Sequence, residues 1–159
     1  IFGSRGLGDV YKRQVLAGNN TTLYGSKLKA LAKELGVAHR VYITGKIEDL
    51  AKQYYLQHCD GFVFPSLREG FGIPPIEAMA FGKPIFISNN TSLPEIGGEH
   101  SFYWDNHRPE HMAKVLQEGM EKYSQQEEFY TQWYTSRAKS FDWNKTAKQY
   151  INVYQSILS

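Results

Sequence analysis

Between Pro65 and Gly82 the sequence is punctuated so tightly that one local geometry fits it. An apolar run, Gly61-Phe62-Val63-Phe64-Pro65, stops abruptly at Ser66-Leu67-Arg68-Glu69. Gly70 and Gly72 follow, and then Pro74 and Pro75, which a helix tolerates only in its first turn. Gly82 and Pro84 end that helix. The reading is a strand, a glycine-bearing turn and a helix N-terminus. In such a turn the backbone can approach an anion closely, and the unpaired N–H groups of the first helical turn point at its charge. Two carboxylates flank the element, Glu69 in the loop and Glu77 in the first turns of the helix. Carboxylates repel phosphate but accept hydrogen bonds from neutral hydroxyls. A nucleotide sugar is the simplest ligand with a phosphate core and hydroxyls on both sides.

The rest of the chain supplies a frame for that element. Val15-Leu16-Ala17-Gly18, Val41 to Gly45, Gly61 to Pro65, Pro84 to Ser88 and Ser101 to Trp104 read as strands. Helices are expected from Ser26, as N-cap, to Leu35 with Leu28, Leu31 and Leu35 on one face, from Glu48 to His58 with Leu50, Tyr54 and Tyr55, and from Pro74 to Phe81. Asn89 to Gly98 reads as a loop. Apolar strands alternating with helices predict an α/β fold with a parallel sheet covered on both faces. From Pro109 onward the chain is helical, and its last helix, Asn144 to Leu158, carries Ala147, Tyr150, Ile151, Tyr154 and Leu158 on one side. The stripe Phe129, Tyr130, Trp133 and Tyr134 reads as packing, since no basic residues interleave it as a nucleic-acid platform requires.

At 159 residues the chain can build one ordinary core. Its net charge of +2 gives no case for nucleic acid or an anionic membrane as partner. A single cysteine, Cys59, excludes an internal disulfide and reads as a buried structural residue. No apolar run is long enough to span a bilayer, and no signal peptide is visible. His107 and His111 are separated by Pro109 and lack a third partner, so no metal site is expected there.

The stretch from Ser66 to Ala80 resembles the signature of the family-four retaining glycosyltransferases of the GT-B fold, with its two glutamates separated by seven residues. The similarity runs from Val15 to about Trp104 and returns at Phe141-Asp142-Trp143 and the last helix. It implies a Rossmann-like parallel sheet flanked by helices, the C-terminal nucleotide-sugar-binding half of that fold, followed by C-terminal helices.

By this resemblance Glu69 lies against the transferred sugar near the reacting carbon, as the catalytic carboxylate. Glu77 accepts hydrogen bonds from the ribose hydroxyls. Gly70, Phe71, Gly72 and Ile73 hold the diphosphate or the sugar edge through their backbone. Gly45, Lys46 and Ile47 lie beside the base, and Thr91 and Ser92 touch the diphosphate. Each has a plainer reading: the glycines as a tight turn, Glu77 as a charge favoured by the helix dipole, Lys46 as a solvent-exposed cation. A paired-carboxylate hydrolase would use the same two glutamates but has no need of the phosphate-binding turn.

The family needs no bound metal or cofactor beyond the nucleotide-sugar substrate, with basic side chains and helix ends in the metal's place. A hexosyltransferase is implied, cytoplasmic or at the inner face of the membrane, with mannosyl from GDP-mannose mildly favoured and a glycan or lipid-linked acceptor. Two other readings stay open: a non-catalytic nucleotide-sugar-binding module, and an epimerase or phosphorylase of the same architecture.

Residues 1–14 depart from the pattern. Ser4 to Gln14 resembles the read-through translation of a sequencing-library adaptor, so residues 15–159 are taken as the domain. The family's diphosphate-clamping arginine and lysine, its first strand–helix unit and its acceptor-binding domain would then lie upstream. Loss of that unit is expected to leave a gap between the Val15 and Gly61 strands, unless Ile1-Phe2-Gly3 fills it or the two strands pair directly. The aromatic side of the last helix, which in relatives crosses to the acceptor domain, is expected to be partly exposed.

Overall fold

A computed structural model describes the backbone of residues 2–3 and residues 13–158. Most of the segment read as adaptor-derived, residues 4–12, lies outside the described residues. Among the described residues six strands and seven α-helices follow one another: β1 Phe2–Gly3, β2 Arg13–Ala17, α1 Leu23–Glu34, β3 Val41–Gly45, α2 Asp49–His58, β4 Phe62–Phe64, α3 Ile73–Ala80, β5 Ile85–Ser88, α4 Leu93–Gly97, β6 Phe102–Trp104, α5 Pro109–Gln125, α6 Glu127–Lys139 and α7 Trp143–Leu158. The fold is α/β, as its alternation of strands and helices requires.

The strands form two three-stranded sheets, β1-β2-β3 and β4-β5-β6. All pairs are parallel except β1 with β2, where Phe2 lies opposite Gln14 and Gly3 opposite Arg13. β2 and β4 do not pair directly. Between them lies a cavity of about 590 Å³ whose walls include Val15 to Gly18 on one side and Phe62 to Pro65 on the other. The expected gap is therefore present, and β1 borders only the first residues of β2.

The two sheets differ in how well they are covered. β5 is buried along its whole length because helices lie on both of its faces. Ile85 and Ile87 join Met79, Tyr134 and Ala138 in the main core. Phe86, on the opposite face, stacks on Phe102 at 4.9 Å and meets α5 at Gly119. The sheet of β2 and β3 is covered less, and Tyr42 is 46% exposed.

Several expectations about the first helices need correction. α1 begins at Leu23, capped by Thr22, whose side chain accepts from the Gly25 amide at 3.1 Å. Ser26 is inside the helix. Leu31 on α1, Leu35 at its C-cap, and Leu50 and Tyr54 on α2 are exposed, whereas Ala32 and Leu56 are buried. The periodicity identified the helices but not their inner faces: the small sheet behind α1 covers few of its side chains, and α2 packs on α3 with Leu56 in the main core. The segment after β5 is not all loop, since α4 interrupts it.

The aromatic stripe of α6 is packing: Tyr134 is fully buried and donates to the His100 carbonyl at 2.9 Å. Cys59 is buried, with Sγ 3.4 Å from the Leu56 carbonyl, and burial raises its thiol pKa. The exposure of α7 goes beyond the partial exposure expected. None of its residues is buried, and Tyr150, Ile151, Tyr154 and Leu158 all face solvent.

A Cβ at Gly119 would sit 2.5 Å from the Phe86 ring and 2.8 Å from the Phe102 ring. Helix propensity alone favours Gly119→Ala by about 1 kcal/mol, but overpacking costs about 1–3 kcal/mol, so the variant is expected to be less stable in urea. Burial pushes the Tyr103 hydroxyl pKa up to about 12 and raises that of Tyr134 as well. Unfolded tyrosines ionise near pH ~10, so this stability is fully present below that pH and is lost as the pH rises toward the folded value. Thermal melts should therefore be flat in their tyrosine contribution up to about pH 10 and fall above it.

Candidate active site

The segment after β4 folds as its punctuation requires. Gly72 is the N-cap of α3, with φ 118°, a backbone region that disfavours side chains. A Cβ there would also lie 3.1 Å from Leu93 of α4. Gly70 differs, because a Cβ at that position would meet nothing within 4 Å. Pro74 and Pro75 occupy the second and third positions of α3 and bring no N–H to its mouth. The donors left there are the amides of Phe71, Gly72 and Ile73. Among the described residues none caps them, and no side chain caps the helix.

Two side chains hold the loop in place. Thr91 Oγ1 accepts from the Glu69 amide at 3.1 Å. Ser92 Oγ lies 2.7 Å from the Phe71 carbonyl and 3.2 Å from that of Glu69. Thr91 has φ 52°, uncommon for a β-branched residue, and such strain persists where surrounding structure enforces it. On another side, the Phe71 ring meets Phe141 edge-on at 5.9 Å. Arg137 stacks on Phe141 at 5.1 Å and donates to the carbonyls of Glu95 and Ile96. Phe141 and Arg137 therefore support the loop, and the sequence reading assigned Arg137 nothing.

Glu77 lies one turn deeper in α3, on the wall of the cavity between β2 and β4. Lys46, Ile47, Gly18, Pro65 and Pro74 line the same cavity. Gly45 is buried at the end of β3 with φ 81°, and its carbonyl accepts from the Gly18 amide at 2.9 Å. Glu69, Phe71, Gly72, Ile73, Thr91 and Ser92 are not among the lining residues. The expected residues thus form two neighbouring groups joined at the start of α3. One is the cavity wall around Glu77, and the other is the laced loop around Glu69.

The first turn of α3 contains no acidic residue, so Glu77 is beyond the turn where the helix dipole acts strongly. Its observed partner is Lys52 of α2, with Nζ 2.7 Å from Oε1. That hydrogen bond raises the Lys52 pKa, with burial opposing it and Asp49 adding to it. Lys52 was absent from the sequence reading, and 25 residues separate the pair. Among the histidines considered above, His107 Nε2 lies 3.2 Å from Ser88 Oγ.

Residues 13–136 match the family described as glycosyl transferases group 1. The chain belongs to that family. This group 1 glycosyltransferase chain is 34% identical over 135 residues to the serotype-specific mannosyltransferase WbdA of Escherichia coli, covering 83% of this chain and 16% of WbdA. It is 33% identical over 111 residues to the O-antigen chain mannosyltransferase B of Escherichia coli, covering 70% of this chain and 29% of that protein. The chain thus spans less than a third of either relative. Among solved structures, Anabaena HepE in complex with UDP superposes with a TM-score of 0.77 at 22% identity, over 91% of this chain and 41% of HepE. The parallel sheets flanked by helices match the C-terminal domains of GT-B glycosyltransferases.

The two glycines of the loop should respond differently to substitution. Gly72→Ala combines an unfavourable φ, costing about 1–2 kcal/mol, with contact against Leu93, whereas Gly70→Ala should stay within about 0.5 kcal/mol. Urea unfolding of both variants checks this. Ser92→Ala is expected to lose about 1 kcal/mol and to speed hydrogen exchange at residues 69–73.

Proposed function

We propose that this chain is the donor-binding part of a family-four retaining glycosyltransferase that moves a hexosyl group from a nucleotide sugar. The observation that carries the reading is the mouth of α3, where the Phe71, Gly72 and Ile73 amides have no partner among the described residues. Such amides suit a diphosphate, and Glu77 beside them suits ribose hydroxyls. Mannose is the favoured sugar, supported by relatives that are named mannosyltransferases, with GDP-mannose as donor and a glycan or lipid-linked acceptor. The intact enzyme would include an acceptor-binding domain upstream, with residues 15–159 as the donor domain. No described helix is long and apolar enough to cross a membrane, and a cytoplasmic setting suits a nucleotide-sugar donor.

In the reaction the bond between the anomeric carbon and the phosphate oxygen breaks. A bond from that carbon to the acceptor oxygen forms on the same face. The acceptor's proton passes to the departing phosphate, and because the new bond forms on the face that the phosphate leaves, configuration is retained. The α3 amides stabilise charge that grows on the diphosphate, and one such fixed donor is typically worth about 3 kcal/mol. Glu69 offsets positive charge on the oxocarbenium-like sugar. Thr91 and Ser92 act by holding the loop backbone. No metal is invoked: within this chain the α3 amides answer the diphosphate charge, and the family's upstream arginine and lysine would add the basic side chains.

Binding of GDP-mannose to the 159-residue chain, measured by calorimetry, should weaken at least about tenfold in Glu77→Ala, as loss of hydrogen bonds to a charged group predicts. Chelator should leave it unchanged. The chain alone should give no transfer. In the intact enzyme Glu69→Ala should lower kcat by about a hundredfold or more, as loss of electrostatic stabilisation at the reacting carbon predicts. Full activity of that variant would leave the non-catalytic binding module as the better reading.

A further inference from the structure

We propose that Lys52 is a positioning residue for Glu77, holding one carboxylate oxygen so that the other is aimed at the hydroxyls of a nucleotide in the β2–β4 cavity. This rests on the nucleotide reading given above. Lys52 projects from α2 and Glu77 from α3, and their side chains meet at 2.7 Å on the wall of that cavity. Asp49 holds the same ammonium at 3.3 Å, so Lys52 is fixed between two carboxylates.

Three features favour a positioning role over a merely stabilising one. Glu77 is past the first turn of α3, so the helix mouth does not orient it. The side chains of Lys52 and Glu77 are 37% and 33% exposed, and ion pairs that open to solvent add little stability. A lone glutamate also loses rotamer freedom when it grips a ligand, and the bridge removes that freedom beforehand. With Oε1 engaged by Lys52, Oε2 has no hydrogen bond from the described residues and can accept from the ligand. The single bridge orients a carboxylate that would otherwise swing across the cavity mouth.

Calorimetric titration of the 159-residue chain with GDP, UDP and ADP, each beside its 2′,3′-dideoxy counterpart, tests this. The wild-type chain should prefer the ribose form of its best diphosphate by about tenfold or more, as two hydrogen bonds to a carboxylate predict. Glu77→Gln should abolish most of that preference. Lys52→Met should reduce it by about fivefold with little change in melting temperature, and Lys52→Arg should keep most of it. Lys52→Gln serves as a second neutral variant should Lys52→Met fold poorly by circular dichroism. A neutral variant that weakens ribose and dideoxy forms equally, or changes neither, overturns the role of Lys52 while the nucleotide reading stands. So does a Lys52→Arg chain that behaves like Lys52→Met. A wild-type chain that binds none of the diphosphates, or ignores the ribose hydroxyls, overturns the nucleotide reading and this inference with it.

Discussion

A helix that opens with Ile73-Pro74-Pro75 has shed two of the amides that usually crowd its first turn. The donors that remain, on Phe71, Gly72 and Ile73, are concentrated at one point where the chain turns through a left-handed glycine. Their lack of a partner among the described residues is the constraint on which the rest depends. Donors left unsatisfied at a helix mouth call for water or an anion. β4 delivers the chain to this point, and buried Ala78 and Met79 anchor the helix behind it.

Around this mouth the protein spends side chains on backbone rather than on catalysis. Thr91 and Ser92 reach across from the loop after β5 to hold Glu69 and Phe71. Phe141 leans on Phe71 from the turn between α6 and α7. Glu69 is thereby carried on a loop whose path is set from two sides. Glu77 is treated differently, since its own carboxylate is held, and the partner comes from α2. The division suits the two tasks proposed for them, one carboxylate near a reacting carbon and one gripping ribose.

Much of this was legible in the sequence because the decisive signals are local. Glycine and proline spacing around residues 70–84 located β4, α3 and β5 to within a residue or two. What escaped was set by contacts distant along the chain. No pattern near Lys52 announces a carboxylate 25 residues on, and nothing near Thr91 announces the Glu69 amide. The buried face of a helix is also decided by what lies opposite. Leu31 and Leu35 repeat as a core face should, yet the two-stranded parallel pair behind α1 leaves them in solvent. α4 escaped because five residues between Ser92 and Gly98 are too few to show periodicity. The cavity between β2 and β4 was foreseen as a gap, but its lining by Lys52 was not.

The most direct test of the central claim follows the amides themselves. In an amide nuclear magnetic resonance titration of the 159-residue chain with GDP, the signals of Phe71, Gly72 and Ile73 should show the largest saturable shifts, with those of Lys46 and Ile47 moving alongside. Saturable shifts clustered elsewhere, with residues 71–73 unmoved, would contradict the account.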